Sequence, residues 1–261
     1  MPFRALDKEN NSKISYELTP SEYRQEWRCP YCPSKFSFVN TQTKTKHFRH
    51  LVKGTYHTEP ETKEHLELKR YIYENLKVKY RVEYEYKIGD RIIDVVVFLN
   101  EENMIGIECQ VSSISLNEVE ERNKNYESNN TFPIWILYPK YYLRKQLDNF
   151  KYYRLKIIER ELRNSKWLFY YDPKLEILRR NMFEAKYVES DFVIYSDDYN
   201  TYYADDYECE TIFSISDFEI FTPIELVDEA CKYLNLYSKT RSDMELDNGR
   251  ELTRQDLELE E

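Results

Sequence analysis

Residues 61–76, ETKEHLELKRYIYENL, set Leu66, Leu68, Ile72, Tyr73 and Leu76 among charged side chains. That 3.6-residue rhythm predicts one amphipathic helix. Pro60 suits its first turn and Thr58 its cap. The rhythm then shortens to two. Residues 82–88 and 91–99 are rich in Val, Ile and Tyr, and the Gly89-Asp90 pair between them suits a two-residue hairpin turn. After the polar turn at 100–103, residues 104–111 read as a third strand of an antiparallel meander. A second helix is predicted over 115–128, and the unbroken apolar run 132–138, FPIWILY, fits a fully buried fourth strand. Helix, three strands, helix and strand in that order predict an α/β core, a mixed sheet flanked by helices.

Outside this stretch the pattern is less regular. Residues 139–166 read as helical and fairly basic, and 167–171 as a short strand. Residues 187–221 are rich in Tyr and Asp, with strands expected at 192–195 and 211–214 and a helix at 223–236. From Ser242 charges alternate with few apolar residues, the composition of a disordered acidic tail. The first 55 residues gather Pro-linked cysteines, histidines and a basic stretch. Four regions follow: a zinc-ribbon-like N-terminal module at 1–55, the α/β core at 56–170, an acidic α+β region at 171–241 and the tail at 242–261. No internal repeat is visible.

Composition changes this picture in two ways. The chain has 261 residues, 41% of them hydrophobic, which suffices for a real core. No run approaches the roughly 18 apolar residues of a spanning helix, and the opening MPFRALDKENNSK has no apolar segment for secretion. A cytoplasmic location without membrane contact is therefore expected. The net charge of −10 argues against a nucleic-acid partner until it is divided. Residues 1–186 carry 33 Lys and Arg against 27 Asp and Glu, whereas 187–261 carry 5 against 21. Phosphate contacts depend on local potential, so the basic front portion permits nucleic-acid binding. The acidic third fits a protein-partner surface, a nucleic-acid mimic that occludes a groove, or a solubilising surface. With 25 Tyr, 4 Gly and 33% charged residues, the chain also suits a warm environment.

Candidate chemistry centres on two acids inside apolar strands, Asp94 in IIDVVVF and Glu108 in IECQVS. An uncompensated carboxylate there costs several kcal/mol. Neighbouring strands could bring both to one sheet face at one height, where a divalent cation would bind them. Gln110 shares the face of Glu108, and Cys109 points away. Glu61, His65 and Lys69, four apart, line one face of the preceding helix. The plainer alternatives are acids paired with Arg91 or Lys69, and a solvated charged helix face.

A second cluster, Cys29-x2-Cys32-x14-His47-x2-His50, offers two sulfur and two nitrogen ligands to a tetrahedral Zn2+. The short gap between its histidines favours a ribbon or knuckle over a DNA-reading finger. His57 is a competing ligand, and reduced cysteines with surface histidines are the alternative. Cys109, Cys209 and Cys231 have no ligand spacing and read as buried thiols. Lys44, Lys46, Arg49 and Lys53 adjoin the cluster as a phosphate-contacting strip, or as a merely solvated surface.

Taken together, Glu61-x3-His65-x3-Lys69, Arg91-x2-Asp94, Glu108-x-Gln110-x-Ser112, Arg122-x3-Tyr126 and the Trp135-Ile136-Leu137 strand resemble the competence protein CoiA-like nuclease family. That family is a branch of the PD-(D/E)XK, restriction-endonuclease-like superfamily. The resemblance extends upstream to Cys29-Pro30-Tyr31-Cys32 and His47-Phe48-Arg49-His50, covering about residues 25–140. It implies a restriction-endonuclease-like core that hydrolyses phosphodiester bonds in DNA with Mg2+ or Mn2+ held by Asp94 and Glu108, beside a structural Zn2+. His65 or Glu61 would complete the metal shell or orient the nucleophile, and Arg122 and Tyr126 would face the scissile phosphate. Gln110 stands where the broader superfamily commonly has lysine, although this branch often carries Gln; Lys69 could bring positive charge from the helix instead.

The expected function is thus DNA processing in recombination, uptake or defence. The rivals are a catalytically inactive module that binds single-stranded or branched nucleic acid and an interaction scaffold built on the acidic third. Related nuclease folds often pair to cut two strands, so a homodimer is one option.

Overall fold

A computed structural model of the chain describes residues 2–41, 44–52, 62–140, 142–146, 152–163, 167–188, 196–197, 200–201 and 210–245. Its N-terminal part is an antiparallel sheet of five short strands: β1 (Arg4–Leu6), β2 (Ser12–Ile14), β3 (Trp27–Arg28), β4 (Lys35–Thr41) and β5 (Lys44–His50), in the order β2-β1-β3-β4-β5. One face carries Trp27, Phe36 and Phe48, which close over Ala5 and Leu18 as a small core. So small a sheet buries little apolar area and gains from further fastening, by metal or by docking.

The next stretch follows the predicted order. It comprises α1 (Lys63–Leu76), β6 (Arg81–Ile88), β7 (Arg91–Phe98), β8 (Met104–Gln110), α2 (Leu116–Glu127) and β9 (Thr131–Leu137). Gly89 takes φ +55°, the conformation the β6–β7 turn requires. The cap of α1 is Thr62, whose side chain accepts the His65 N–H, and not Thr58, which lies outside the described residues together with Pro60 and Glu61.

Beyond β9 the chain adds β10 (Arg144–Gln146), β11 (Tyr152–Arg154), α3 (Ile157–Arg163), β12 (Leu168–Asp172) and β13 (Ile177–Val188). A two-residue pair, β14 (Ser196–Asp197) with β15 (Asn200–Thr201), precedes β16 (Glu210–Phe221) and α4 (Pro223–Glu245). One mixed sheet of nine strands results, ordered β10-β11-β16-β13-β12-β9-β8-β7-β6. Its β8–β9 and β9–β12 pairs are parallel and the rest antiparallel.

Strand β9 is apolar on both faces because both are covered. Ile134 and Ile136 pack with Leu66 and Ile72 of α1 and with Leu226 of α4. Trp135 and Leu137 meet Val119 of α2 and Ile158 of α3 on the other side. These two layers set the sides from which the candidate acids are approached.

Several expectations need correction. The 139–166 stretch is mainly not helical: among its described residues only Ile157–Arg163 is α-helix, and β10 and β11 are strands. They reach the sheet through β16, a partner distant in sequence that local pattern does not reveal. A boundary at residue 170 would cut β12, and the acidic region is not a separate body, since β13 and β16 continue the same sheet. The expected strand at 211–214 is part of the longer β16, whereas 192–195 lies outside the described residues. Helix α4 starts where expected but runs to Glu245, into the segment read as tail; residues 246–261 lie outside the described set. Among the described residues no helix is long and apolar enough to cross a membrane.

Candidate functional site

The hairpin of β6 and β7 is irregular where the first acid sits. Its register runs Tyr84↔Val95 and Tyr86↔Ile93, with Glu85 and Asp94 between, and Glu85 has φ +48°. Across Asp94 the side-chain alternation slips: Ile93 packs in the cluster with Tyr126, Val95 in the one with α1. Asp94 is thereby turned toward α1. His65 Nε2 lies 3.1 Å from Asp94 Oδ2, Lys69 Nζ 3.4 Å from Oδ1, and the Cys109 N–H donates to Oδ2 at 2.9 Å. Burial opposes the charge on Asp94, but His65, Lys69 and the Cys109 amide outweigh it and hold the carboxyl well below the usual range.

Glu108 follows the regular alternation of β8 with Gly106 and Gln110, and so faces α2. The Tyr126 hydroxyl donates to its Oε1, and Arg122 Nη1 lies 3.3 Å from the same oxygen. Glu108 is only 2% exposed. Burial first, and then the charge of Asp94, push its carboxyl up to about 7 in spite of Arg122 and Tyr126.

The expectation of one shared sheet face is therefore corrected. The last paired residues of β7 and β8 toward the site are Val95↔Ile107, and one step beyond them Asp94 is gripped from α1 and Glu108 from α2. Both acids sit where the strands cease to pair, and the charge of Asp94 helps to raise Glu108. This arrangement suits a divalent cation. Two nearly buried oxygen donors repel one another, and a cation between them would relieve the repulsion that raises Glu108.

The other expected residues divide. His65 and Lys69 do join the site, while Glu61 lies outside the described residues. Lys69 reaches Asp94 as the plain alternative foresaw, but Arg91 does not; it pairs with Glu118 and Glu121 on α2. Gln110 turns its amide to the Ser112 carbonyl at 2.9 Å. Tyr126 is fully buried, which replaces the expected phosphate-facing role with support of Glu108. Arg122 binds both Glu108 and, through Nε at 2.9 Å, Glu118.

One participant was missed altogether. Glu85 Oε1 lies 2.8 Å from Lys69 Nζ, and its carboxylate also accepts the N–H groups of Phe3 and Arg4. In VEYEYKI a strict alternation assigns Glu85 to the solvent side. Only the irregular backbone at Glu85 turns it inward.

In the N-terminal module the ligand atoms of Cys29, Cys32 and His50 all lie within 4.8 Å of one another, and Cys32 Sγ is 3.5 Å from His50 Nε2. The turn that carries the cysteines is tight: the Tyr31 N–H donates to Cys29 Sγ at 3.4 Å, and the Cys29 N–H to the Ser34 carbonyl at 3.0 Å. Such spacing is compatible with Zn2+. His47 is not part of the cluster. It lies on the opposite face of β5 from His50, is 2% exposed and places Nδ1 2.6 Å from the Thr45 carbonyl oxygen. The competing His57 lies outside the described residues.

The basic strip is also divided. Lys46 and Arg49 project from opposite faces of β5, Lys46 bonding the Tyr23 hydroxyl at 2.9 Å, so they do not form one stripe. Lys53 and the side chain of Lys44 fall outside the described residues. Cys109 is a buried thiol as expected, Cys231 is half-buried, and Cys209 lies outside the described residues.

Comparison with known proteins supplies the remaining finding. Neither the curated proteins nor the solved structures contain a match to this chain. The model of the nuclease-like domain of competence protein CoiA matches residues 61–214, from just before α1 into β16 and over more than half of the chain. The span includes His65, Lys69, Asp94, Glu108 and Arg122. This chain belongs to the competence protein CoiA nuclease-like domain family.

Proposed function

We propose that the protein is a metal-dependent nuclease that hydrolyses phosphodiester bonds in DNA, with a restriction-endonuclease-like core and a role in DNA processing for competence. The carrying observation is the placement of Asp94 and Glu108, two acids in apolar strands, each one step beyond the last paired residues of β7 and β8 and each fastened by side chains of a different helix. Asp94 and Glu108 would hold Mg2+ or Mn2+. Such an ion, when bound, polarises a phosphate and lowers the pKa of a coordinated water.

The chain's own groups supply the rest. His65, with 16% of its side chain exposed, orients Asp94 and would serve as general base toward an attacking water. Lys69 and Arg122 stabilise negative charge from the two sides of the sheet. Gln110, lacking charge, positions rather than activates. Cys29, Cys32 and His50 would hold a structural Zn2+ that fastens the N-terminal module.

A second reading is a module that binds single-stranded or branched DNA without cutting it. It is favoured by the contacts of Lys69 and Arg122, which already give both acids cationic partners. The deciding experiment incubates labelled single-stranded, duplex and branched DNA with the protein, with and without Mn2+, and compares wild type with Glu108→Ala. Mn2+-dependent cleavage lost in the variant supports the nuclease. Binding without cleavage in both proteins supports the second reading.

A further inference from the structure

Tyr170 packs with Ile158 and Leu162 of α3, and its partner across the strands is Arg179 of β13. On this α3 side of the sheet Arg179 and Asn181 stand opposite Ile220 and Phe218 of β16. The Arg179 guanidinium lies 4.4 Å from the centre of the Phe218 ring, and that of Arg163, at the end of α3, 4.8 Å from the Phe213 ring. Phe218 and Ile220 nonetheless remain 44% and 53% exposed. Asn181 is only 8% exposed, and among the described residues neither its Oδ1 nor its Nδ2 has a hydrogen-bond partner. The Nε atoms of Arg163 and Arg179 are likewise buried and unpaired. Buried polar atoms are nearly always hydrogen-bonded, so three such side chains gathered beside exposed apolar ones point to a ligand.

The same face leads to the acids. Gln110, Leu137, Tyr170, Arg179 and Ile220 are successive cross-strand partners from β8 to β16, and Glu108 shares the face of Gln110. Four strand spacings, about 19 Å, separate the ends of that row. Arginines beside an exposed aromatic ring call for an occupant that is both anionic and flat; the ion pair of Arg179 with Asp172, 3.8 Å long, leaves its guanidinium over Phe218. A nucleobase offers a π face to Phe218 and polar edges to the Asn181 amide, and its phosphates meet the arginine charge. In a duplex the base faces are covered by their neighbours, whereas unpaired bases are free to stack on protein. We propose that this face binds single-stranded DNA alongside the metal site, with a base laid on Phe218 and its edge on Asn181. The assignment rests on the reading of the protein as a DNA enzyme, but Phe218 and Ile220 lie beyond residue 214, where the match to the CoiA nuclease-like domain ends.

The test is fluorescence anisotropy on the full chain in EDTA, where no metal-dependent cleavage occurs, with thermal melts and sedimentation recorded in parallel. The probes are a labelled single strand of about 15 nucleotides, the corresponding duplex, and an abasic strand of equal length that keeps the phosphates without the bases. Phe218→Ala should weaken binding of the single strand about tenfold, the scale of one lost stack between a base and an aromatic ring, and Phe218→Trp should keep it within about twofold. The abasic strand should bind wild type and Phe218→Ala alike. Asn181→Leu removes an unpaired buried amide, so its thermal midpoint should hold or rise while single-strand binding falls about threefold.

Equal single-strand affinity in wild type and Phe218→Ala, or an equal loss with the abasic strand, overturns the inference. Phe218→Ala that binds DNA like wild type but sediments as a smaller species assigns the face to a second copy of the chain, and overturns it too. Wild type that cleaves duplex with Mn2+ yet binds no single strand overturns the inference and leaves the nuclease standing, whereas wild type that neither binds nor cuts any of these DNAs overturns both. Should Phe218→Ala fail to fold, Asn181→Leu reads the same surface: weaker single-strand binding without loss of thermal stability supports the inference, and any other pattern overturns it.

Discussion

Asp94 Oδ2 accepts the backbone N–H of Cys109 at 2.9 Å, so the acid of β7 is tied to the strand that carries Glu108, beside Glu108 itself. This bond can survive loss of the charge. Asp94→Asn keeps an oxygen for the Cys109 amide and should remain folded, with a stability loss of about 1–3 kcal/mol, yet bind no Mn2+. Asp94→Ala leaves that amide unpaired and takes a buried partner from Lys69, for a larger loss of about 3–5 kcal/mol. Thermal melts with Mn2+ calorimetry check both; Asp94→Asn that binds Mn2+ like wild type removes Asp94 from the site.

The Glu108 carboxyl supplies a pH dependence. Burial and the charge of Asp94 raise it from 4.5 to about 7, so the folded state binds this proton more tightly than the unfolded chain does. Its contribution to stability is full below pH 4.5 and is lost as pH rises to about 7. The metal-free protein should lose on the order of a few kcal/mol over that interval, and Glu108→Gln should not show the decline. Mn2+ binding must displace the same proton, so affinity should climb with pH and level off near 7. Urea midpoints across the interval decide, and identical profiles for the two proteins would refute the assignment.

His50 and His47 are three residues apart but have different tasks, because strand alternation separates them. Elemental analysis should find zinc in wild type and in His47→Gln, and little or none in His50→Gln or Cys32→Ser. Zinc lost from His47→Gln and kept by His50→Gln would reverse the ligand assignment.

The acidic third cannot be removed as a detachable shield. Cutting after Lys186 deletes β16, which pairs with β13 along its length, and with it Phe221, Leu226 and Val227 from the main core. The truncated protein should unfold or aggregate, with a collapsed thermal transition. A truncated chain that melts like wild type would show that the core stands without them.

Local pattern exposed the acids because a carboxylate inside an apolar strand is conspicuous, and it located both helices that fasten them. It could not show that their shared face is interrupted, since that depends on the irregular backbone at Glu85 and Asp94. The same irregularity hid Glu85, placed by VEYEYKI on the solvent side. For zinc, ligand spacing offered His47 and His50 alike; reading KTKHFRH as a strand separates them. Strand β13, ILRRNMFEAKYV, was missed because its polar residues break the alternation and its partner begins 22 residues later.

The place of β16 in the sheet has a consequence during synthesis. It lies between β11 and β13, so the β10–β11 pair, made some 60 residues earlier, joins the sheet only when β16 arrives. Until the ribosome has released residue 221, the rim of β13 is an unpaired edge open to other chains. Pairing of this kind across the chain makes folding slow and leaves nascent molecules exposed to aggregation. Yield on expression should therefore respond to temperature and chaperones more sharply than the stability of the finished fold suggests.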